Sequence, residues 1–311
     1  MTKKQPDYNV SEFNQNLEQQ EIAQIRQGIA TNQLSKIIAD KKNTEYDPFT
    51  GISIYRKNQD FQLSFIDTDF SKVRGYTATT AILLDILIYK LTQSGANSPV
   101  ITLSLDEFMK LRGLKTKKEA RKQVTSDLET LFNCRVSFTD TTTGKYQNFI
   151  DLHVLDSKGI KNSIITVTLG LSFYTLIKNY PLMLMPINVF SLNLKANPHA
   201  YYISRKLAEH KRMNLNKANE NIISVKTLVD ACPLLPTYDE VSQAGRQINQ
   251  RIIQPFINNL TALEEYFNWE FCNQKGLPLT DEQLELSDYE TFINLFIKFD
   301  WKQGTIPTLK K

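Results

Sequence analysis

Between Lys110 and Lys122 the cations Lys110, Arg112, Lys115, Lys117, Lys118, Arg121 and Lys122 stand against Glu119 alone. Helical spacing puts Lys115, Lys118 and Lys122 on one side, with Lys117 close by and Arg121 flanking, opposite an apolar stripe of Ala120, Val124, Leu128 and Leu131. A lysine-rich face suits phosphate, because an ammonium is a point charge without a planar fork. Taken alone, a solvated helix face has the same composition. A second cationic stretch, Lys195 to Lys217, ends in Lys211, Arg212 and Lys217, which are candidate phosphate contacts. A third set differs in kind. Gln243, Arg246, Gln247 and Gln250, with Arg251 nearby, lie on the outer face of a helix that begins at Asp239. Glutamine pairs bidentately with adenine and arginine with guanine, so base reading is expected there.

Residues for bond chemistry are missing at motif spacing. His153, His199 and His210 are isolated, without the His-x-His of a metal-dependent nicking site. Gly144-Lys145 lacks both the upstream glycine and the hydroxyl residue of a phosphate-cradling loop. Asp67-Thr68-Asp69 follows a hairpin and precedes a helix, where a turn or cap accounts for it. Cys134, Cys232 and Cys272 are far apart and form no C-x-x-C pair, so they read as thiols in a reducing compartment. The expectation is a non-enzymatic protein without metal or cofactor.

The elements that must position these residues follow from periodicity. Residues 1–47 read as a polar, helical or mobile arm, with Ile22, Ile25, Ile29, Leu34, Ile37 and Ile38 at helical spacing. Gly51 to Phe65 alternates and reads as a hairpin turning at Lys57 to Asp60. Thr77 caps an apolar helix to about Gln93, and Val100 to Leu103 is a strand. Ser104 and Glu107 have the capping-box spacing ahead of a short helix, Gly113 turns, and a longer helix runs from about Thr116 to Phe132. Strands at Arg135–Thr139 and Tyr146–Leu155 flank a turn tipped by Lys145, and Ile164–Leu169 is a further strand. Helix, strand, helix, turn, helix and hairpin in this order make a winged helix, with Lys145 as a phosphate candidate at the tip of its wing.

The order recurs about 120 residues later. Helix Pro198–Met213, strand Ile222-Ile223, a helix from Ser224, a long helix from Asp239 and strands near Asn268 and Trp301 repeat the series. Ser104-Leu105-x-x-Phe108 matches Ser224-Val225-x-x-Leu228. Pro255 is expected to kink or split the long helix. The fold class expected is therefore α+β, two tandem winged-helix domains at 48–180 and 181–305 behind the arm 1–47, with a tail at 306–311. A chain of 311 residues with 41% hydrophobic residues has material for two cores. The net charge of +4 and pI near 8.7 are too mild by themselves to demand a polyanion. No apolar stretch spans a bilayer and no secretory h-region opens the chain, so a cytoplasmic protein is expected.

The run Tyr-Pro-Leu-Met-Leu-Met-Pro from Tyr180 to Pro186 resembles a known family. So do His199-Ala200-Tyr201, Arg205-Lys206-Leu207-Ala208-Glu209-His210, Ile223-Ser224-Val225 and Tyr238-Asp239-Glu240-Val241. The family is that of the iteron-binding, theta-type replication initiators of plasmids and related mobile elements. The resemblance covers roughly residues 70 to 305. It implies two winged-helix domains, the second carrying most of the sequence reading and the first adding DNA contacts and supporting a homodimer. It also implies double-stranded origin repeats as ligand, and recruitment of a host initiator and of a helicase or its loader. A winged-helix transcriptional repressor, or a scaffold of a replication complex, fits the same residues.

Overall fold

The computed structural model describes residues 22–39, 44–47, 49–58, 61–66, 75–140, 148–244, 247–280 and 289–302. The chain opens with β1 (Ile22–Arg26), α1 (Ile29–Leu34), β2 (Glu45–Asp47), β3 (Ile52–Asn58) and β4 (Phe61–Ile66). Then come α2 (Ala78–Gln93), β5 (Val100–Ser104), α3 (Leu105–Leu111) and α4 (Lys117–Phe132). β6 (Cys134–Asp140), β7 (Asn148–His153), β8 (Leu155–Lys161), β9 (Ile164–Leu169) and α5 (Leu171–Ile177) complete the first half. A connector strand, β10 (Leu182–Pro186), and a 3-10 turn (Ile187–Ser191) lead to α6 (Ala200–Met213), β11 (Ile222–Ser224), α7 (Val225–Val229) and α8 (Tyr238–Gln243). α9 (Gln254–Thr261), β12 (Phe267–Cys272), α10 (Tyr289–Ile293) and β13 (Phe296–Trp301) follow.

Two three-stranded antiparallel sheets carry the repeat. Their orders are β5-β9-β8 and β11-β13-β12, the same arrangement used twice. The registers agree as well: Ser104 lies opposite Ile164, and Ser224 opposite Phe296. In each half that serine caps the next helix, its hydroxyl accepting from the amide three residues on, Glu107 at 3.0 Å and Thr227 at 3.2 Å. In each half the first helical amide is taken by the carbonyl just before the last strand. Leu105 donates to Ser163 and Val225 to Leu295, both at 2.8 Å. A resemblance of a few residues in sequence thus becomes a repeated set of hydrogen bonds.

A five-stranded antiparallel sheet, β2-β3-β4-β6-β7, belongs to the first half alone. It takes up the hairpin β6–β7 that the sequence suggested as a wing. The hairpin that pairs with β5 is β8–β9 instead. The residues explain the choice: Ile165, Val167 and Leu169 alternate inward on β9 against Ile101 and Leu103 of β5.

The expectation of a polar helical arm fails over residues 22–39. Ile22–Arg26 is a strand, antiparallel to β10, with Ile22, Ala23 and Ile25 buried. A strand covered on both faces loses its alternation, and Ile22 with Ile25 then mimics a helical stripe. The short helix α1 does form, and Ala30, Leu34 and Ile37 join the core. α2 is buried around its circumference, as a helix apolar on all sides must be. Where one long helix is expected from Asp239, α8 ends at Gln243 with Ala244 as its cap, and helical structure is next described from Ile248. Pro255 marks a π-turn, Asn249–Ile253, in which Gln254 donates to Asn249. Proline has no amide to give Arg251, so the bonding slips by one residue.

One polar cluster lies inside this core. Asp85 of α2 and Arg205 of α6 are 2% and 3% exposed and 3.3 Å apart. Tyr201 donates its hydroxyl to Asp85 at 2.7 Å, and Arg205 donates to the carbonyl of Thr31 in α1 at 3.2 Å. Burial pushes the Asp85 carboxyl upward, while Arg205 and the Tyr201 hydroxyl work to hold it down.

Removing one partner of such a pair strands the other. Arg205→Met should cost about 3–5 kcal/mol in chemical denaturation, and Asp85→Leu with Arg205→Met together should cost less than either alone. His199, 4% exposed, gives a pH signature. Burial holds its imidazole down to about 4. Between its ordinary 6.5 and 4 the unfolded chain binds a proton that the folded chain refuses. Stability is therefore complete above 6.5 and falls as pH drops through that window, by up to about 3 kcal/mol. His199→Gln should flatten that part of the stability-against-pH curve.

Candidate nucleic-acid interface

The first cationic face is built by two caps and a turn. Gly113, with φ of 61°, ends the short helix α3, and the Thr116 hydroxyl accepts from Glu119 at 3.2 Å to start α4. Ala120, Val124, Leu128 and Leu131 then point into the core, which turns Lys118, Arg121, Lys122 and Thr125 outward in one stripe. Lys115 and Lys117 stand exposed at the head of the helix. Lys117 pairs with Asp106 at 2.8 Å, in the open, and such a pair is readily exchanged for a phosphate. Lys115, Lys117, Lys118, Arg121 and Lys122 are all exposed at the head and along the outer side of α4.

Lys145 lies outside the described residues. The turn that does stand beside the helix-turn-helix is that of β8–β9. Asn162 and Ser163 both adopt positive φ, 49° and 61°, the pattern of a two-residue hairpin turn. Lys161 is exposed at this tip. Lys158, on the same strand, pairs with the Glu129 carboxylate of α4 and sits 4.8 Å over the Phe132 ring. The hairpin is thereby tied to the C-terminal end of α4. Sequence reading passed over Lys161, although Asn followed by a small residue between two short strands is a hairpin signal.

In the second half the side chains divide differently. Gln243 ends α8, Arg246 lies outside the described residues, and Gln247, Gln250 and Arg251 are exposed further along the chain. With Gln254 these last three form a stripe at helical spacing, opposite Ile252, Ile253 and Phe256. Lys211 and Arg212 are turned inward. Lys211 pairs with Glu220 at 3.5 Å and donates to Asn221 at 3.0 Å, and Arg212 donates to Gln27 at 2.8 Å. Lys217 caps the end of α6 by donating to the Met213 carbonyl at 3.0 Å. Lys211 and Arg212 are thus half-buried and engaged around α6, whereas Lys217 remains exposed.

Superposing the repeat by its caps exposes a reversal of charge. Where the first half has Lys110 and, two residues after its capping threonine, Lys118, the second has Asp230 and Asp239. Tyr238 stands where Lys117 stands and stacks on Tyr289 at 4.7 Å between ring centroids. Phosphate is attracted to the first of these surfaces and repelled by the second. In the second half Gln247, Gln250 and Arg251 are exposed and follow Ala244 in the chain.

Among the described residues no three His, Cys, Asp or Glu side chains gather as a metal site requires, and no helix is long and apolar enough to cross a membrane. Cys134, Cys232 and Cys272 are free and buried.

The hairpin turn gives a direct test of its geometry. Ser163→Gly supplies the residue best suited to the second positive-φ position, and should raise the unfolding midpoint by the equivalent of about 0.5–1 kcal/mol. A loss of stability would show that the turn is built otherwise.

No protein-family model matches the chain, and no curated protein does. Solved structures of domains 2 and 3 of RctB are similar to it. A selenomethionine derivative matches with a TM-score of 0.47 and 8% identity, over 87% of this chain and 98% of that chain. A second structure of the same domains matches with a TM-score of 0.46 and 9% identity, over 87% and 96%.

Proposed function

We propose that the chain is a sequence-specific double-stranded DNA-binding replication initiator made of two winged-helix units. The observation that carries the reading is the repeated strand-helix-turn-helix-hairpin, with an exposed cationic helix, α4, in its first copy. In a winged helix the second helix of the helix-turn-helix enters the major groove and the hairpin touches backbone. On that geometry Lys118, Arg121, Lys122 and Lys161 grip phosphate, while Gln247, Gln250 and Arg251, with Gln243 and Arg246, read bases. Two units docked about one helical turn apart cover roughly 20 base pairs.

The step from DNA binding to initiation rests on the family resemblance of the Tyr180–Pro186 run and of α6. Under this reading the protein binds repeated sites at an origin, bends the duplex and helps open adjacent AT-rich DNA, at a deformation cost of about 1–6 kcal/mol. Contacts with a host initiator and a helicase or loader belong to the same proposal. Binding energy drives the process, and no bond is made or broken by the chain.

Footprinting on the DNA that flanks its coding region tests the proposal. Protection of tandem repeats supports initiation, and one palindrome over a promoter identifies a repressor instead. Lys118→Ala should weaken binding to cognate and random duplex alike, and lower the slope of log affinity against log salt by about 0.9. Arg246→Ala or Gln250→Ala should cost about 1–3 kcal/mol on the cognate site only, relaxing preference at one base pair. Equal losses on both kinds of duplex for all three variants would remove the division between gripping and reading.

A further inference from the structure

Residues 22–39 touch the connector between the two units, α6 of the second unit and the first unit at Tyr76. β1 is the sole strand partner of the connector β10 among the described residues. Arg26 donates to the carbonyl of Tyr180 at 3.3 Å, and the Gln27 amide donates to that of Pro181 at 2.9 Å, so pairing continues past the strand end. The segment then crosses to the second unit. The Gln27 side chain accepts from Arg212 at 2.8 Å, the Thr31 carbonyl from Arg205, and Lys36 pairs with Glu209 at 3.0 Å, all on α6. It ends on the first unit, where Ala39 and Tyr76 exchange amide-to-carbonyl bonds at 2.8 and 2.7 Å.

We infer that this segment is a strap that fixes the separation and rotational phase of the two helix-turn-helix units, so that the chain accepts DNA half-sites at one spacing only. A lone extended strand between two bodies is a hinge, because its backbone groups can exchange to water and its dihedrals can turn. Pairing with β1 converts it into a ribbon. The first unit is pressed against the far end of that ribbon: a Cβ on Gly113, in its helix-turn-helix turn, would meet Ser191 at 3.0 Å. Residues 22–39 thus hold the connector to α6, and the chain that follows the connector abuts the first-unit turn. The spacing part of the inference rests on the DNA-binding reading above, and the rigidity part does not.

Gly28 is the point at which the strap can be lifted. A Cβ there would lie 2.4 Å from ring carbons of Tyr180, closer than any side chain tolerates. Nitroxide labels at Lys122→Cys and Gln250→Cys, one exposed position in each unit, report the inter-unit distance; the native cysteines are buried. One narrow distance distribution is expected for the otherwise unchanged full chain, a broad one after Gly28→Ala, and a narrow one again when Tyr180→Leu makes room. A cooperative melt checks that each variant is folded. If Gly28→Ala does not fold, Lys36→Glu, set against Glu209, replaces it. A duplex selected from a random pool by the full chain then receives two base pairs between its protected halves, a rotation of about 70°. Affinity should fall at least tenfold for the parent chain and less than threefold for the lifted-strap variant. A parent distribution that is already broad, or one unchanged by lifting, overturns the strap. A parent that tolerates the insertion overturns the fixed spacing. Failure to select any duplex overturns the DNA-binding reading and leaves the label distances to judge the strap.

Discussion

A carboxylate and a guanidinium sealed together between α2 and α6 are the constraint from which the arrangement of the molecule follows. Asp85 and Arg205 belong to different halves of the chain, and both are excluded from water. Such a pair adds little net stability over well-packed apolar residues, because desolvation offsets most of the attraction. Its force is directional. Leucines and isoleucines on α2 would tolerate sliding or rotation of α6 at modest cost, whereas an arginine left without its carboxylate inside the core is costly in every wrong packing. Tyr201 fills a further acceptor site on Asp85, and Thr31 receives a guanidinium hydrogen. One buried charge pair therefore specifies how the first half, the second half and the segment before them meet.

Duplication supplies the second constraint. Each half repeats a serine cap and an amide-to-carbonyl bond that joins the cap to the last strand of its sheet. These bonds consume the donors that a helix start would otherwise leave unsatisfied. They also fix the direction in which the next helix leaves the sheet. The two copies share this cap and strand bond but differ in charge: the first is cationic along α4, and the second has Asp230, Tyr238 and Asp239 at matching places.

Much of this was legible in the residues, and what was not has physical causes. The cap at Ser104, the helix starts at Thr116 and Ser224, the buried stripe of α4 and the outward side of its lysines followed from helical periodicity and capping chemistry alone. So did the repeat, whose weak sequence match rests on residues that cap or fill the core. Strand pairing did not, since it is a long-range choice. Residues 134–153 and 155–169 offer two adjacent hairpins, and only packing against β5 decides which becomes the partner of the helix-turn-helix. β1 was misread because a strand buried on both faces carries no alternation. Arg205 and Lys211 looked like members of a cationic surface, yet Asp85 lies 120 residues before Arg205 and draws it inside, while Lys211 turns to Glu220. A basic residue's fate depends on a partner that spacing along one helix does not reveal.

If the chain binds DNA as proposed, the contrast between the halves bears on how a net charge of +4 would hold a polyanion. Affinity for phosphate scales with cations that replace condensed counterions at the surface of the duplex, and total charge matters little. Exposed cations on α4 and at the β8–β9 tip can make that contribution from one side of the molecule. On that reading acidic groups on the second half would oppose the reversed orientation, in which Asp230 and Asp239 would meet phosphate. Glutamine and arginine beyond Ala244 would have no such repulsion to overcome, and planar amide and guanidinium groups are suited to discriminating between bases. Grip and reading can be separated on a duplicated scaffold only while the two copies are held in fixed relation. A loose connector would let the cationic half bind DNA alone and leave the other to diffuse. On the proposed DNA-binding reading, the buried pair that orients α2 against α6 and the segment that pairs with the connector would together allow modest charge to act in one place and sequence to be read in another.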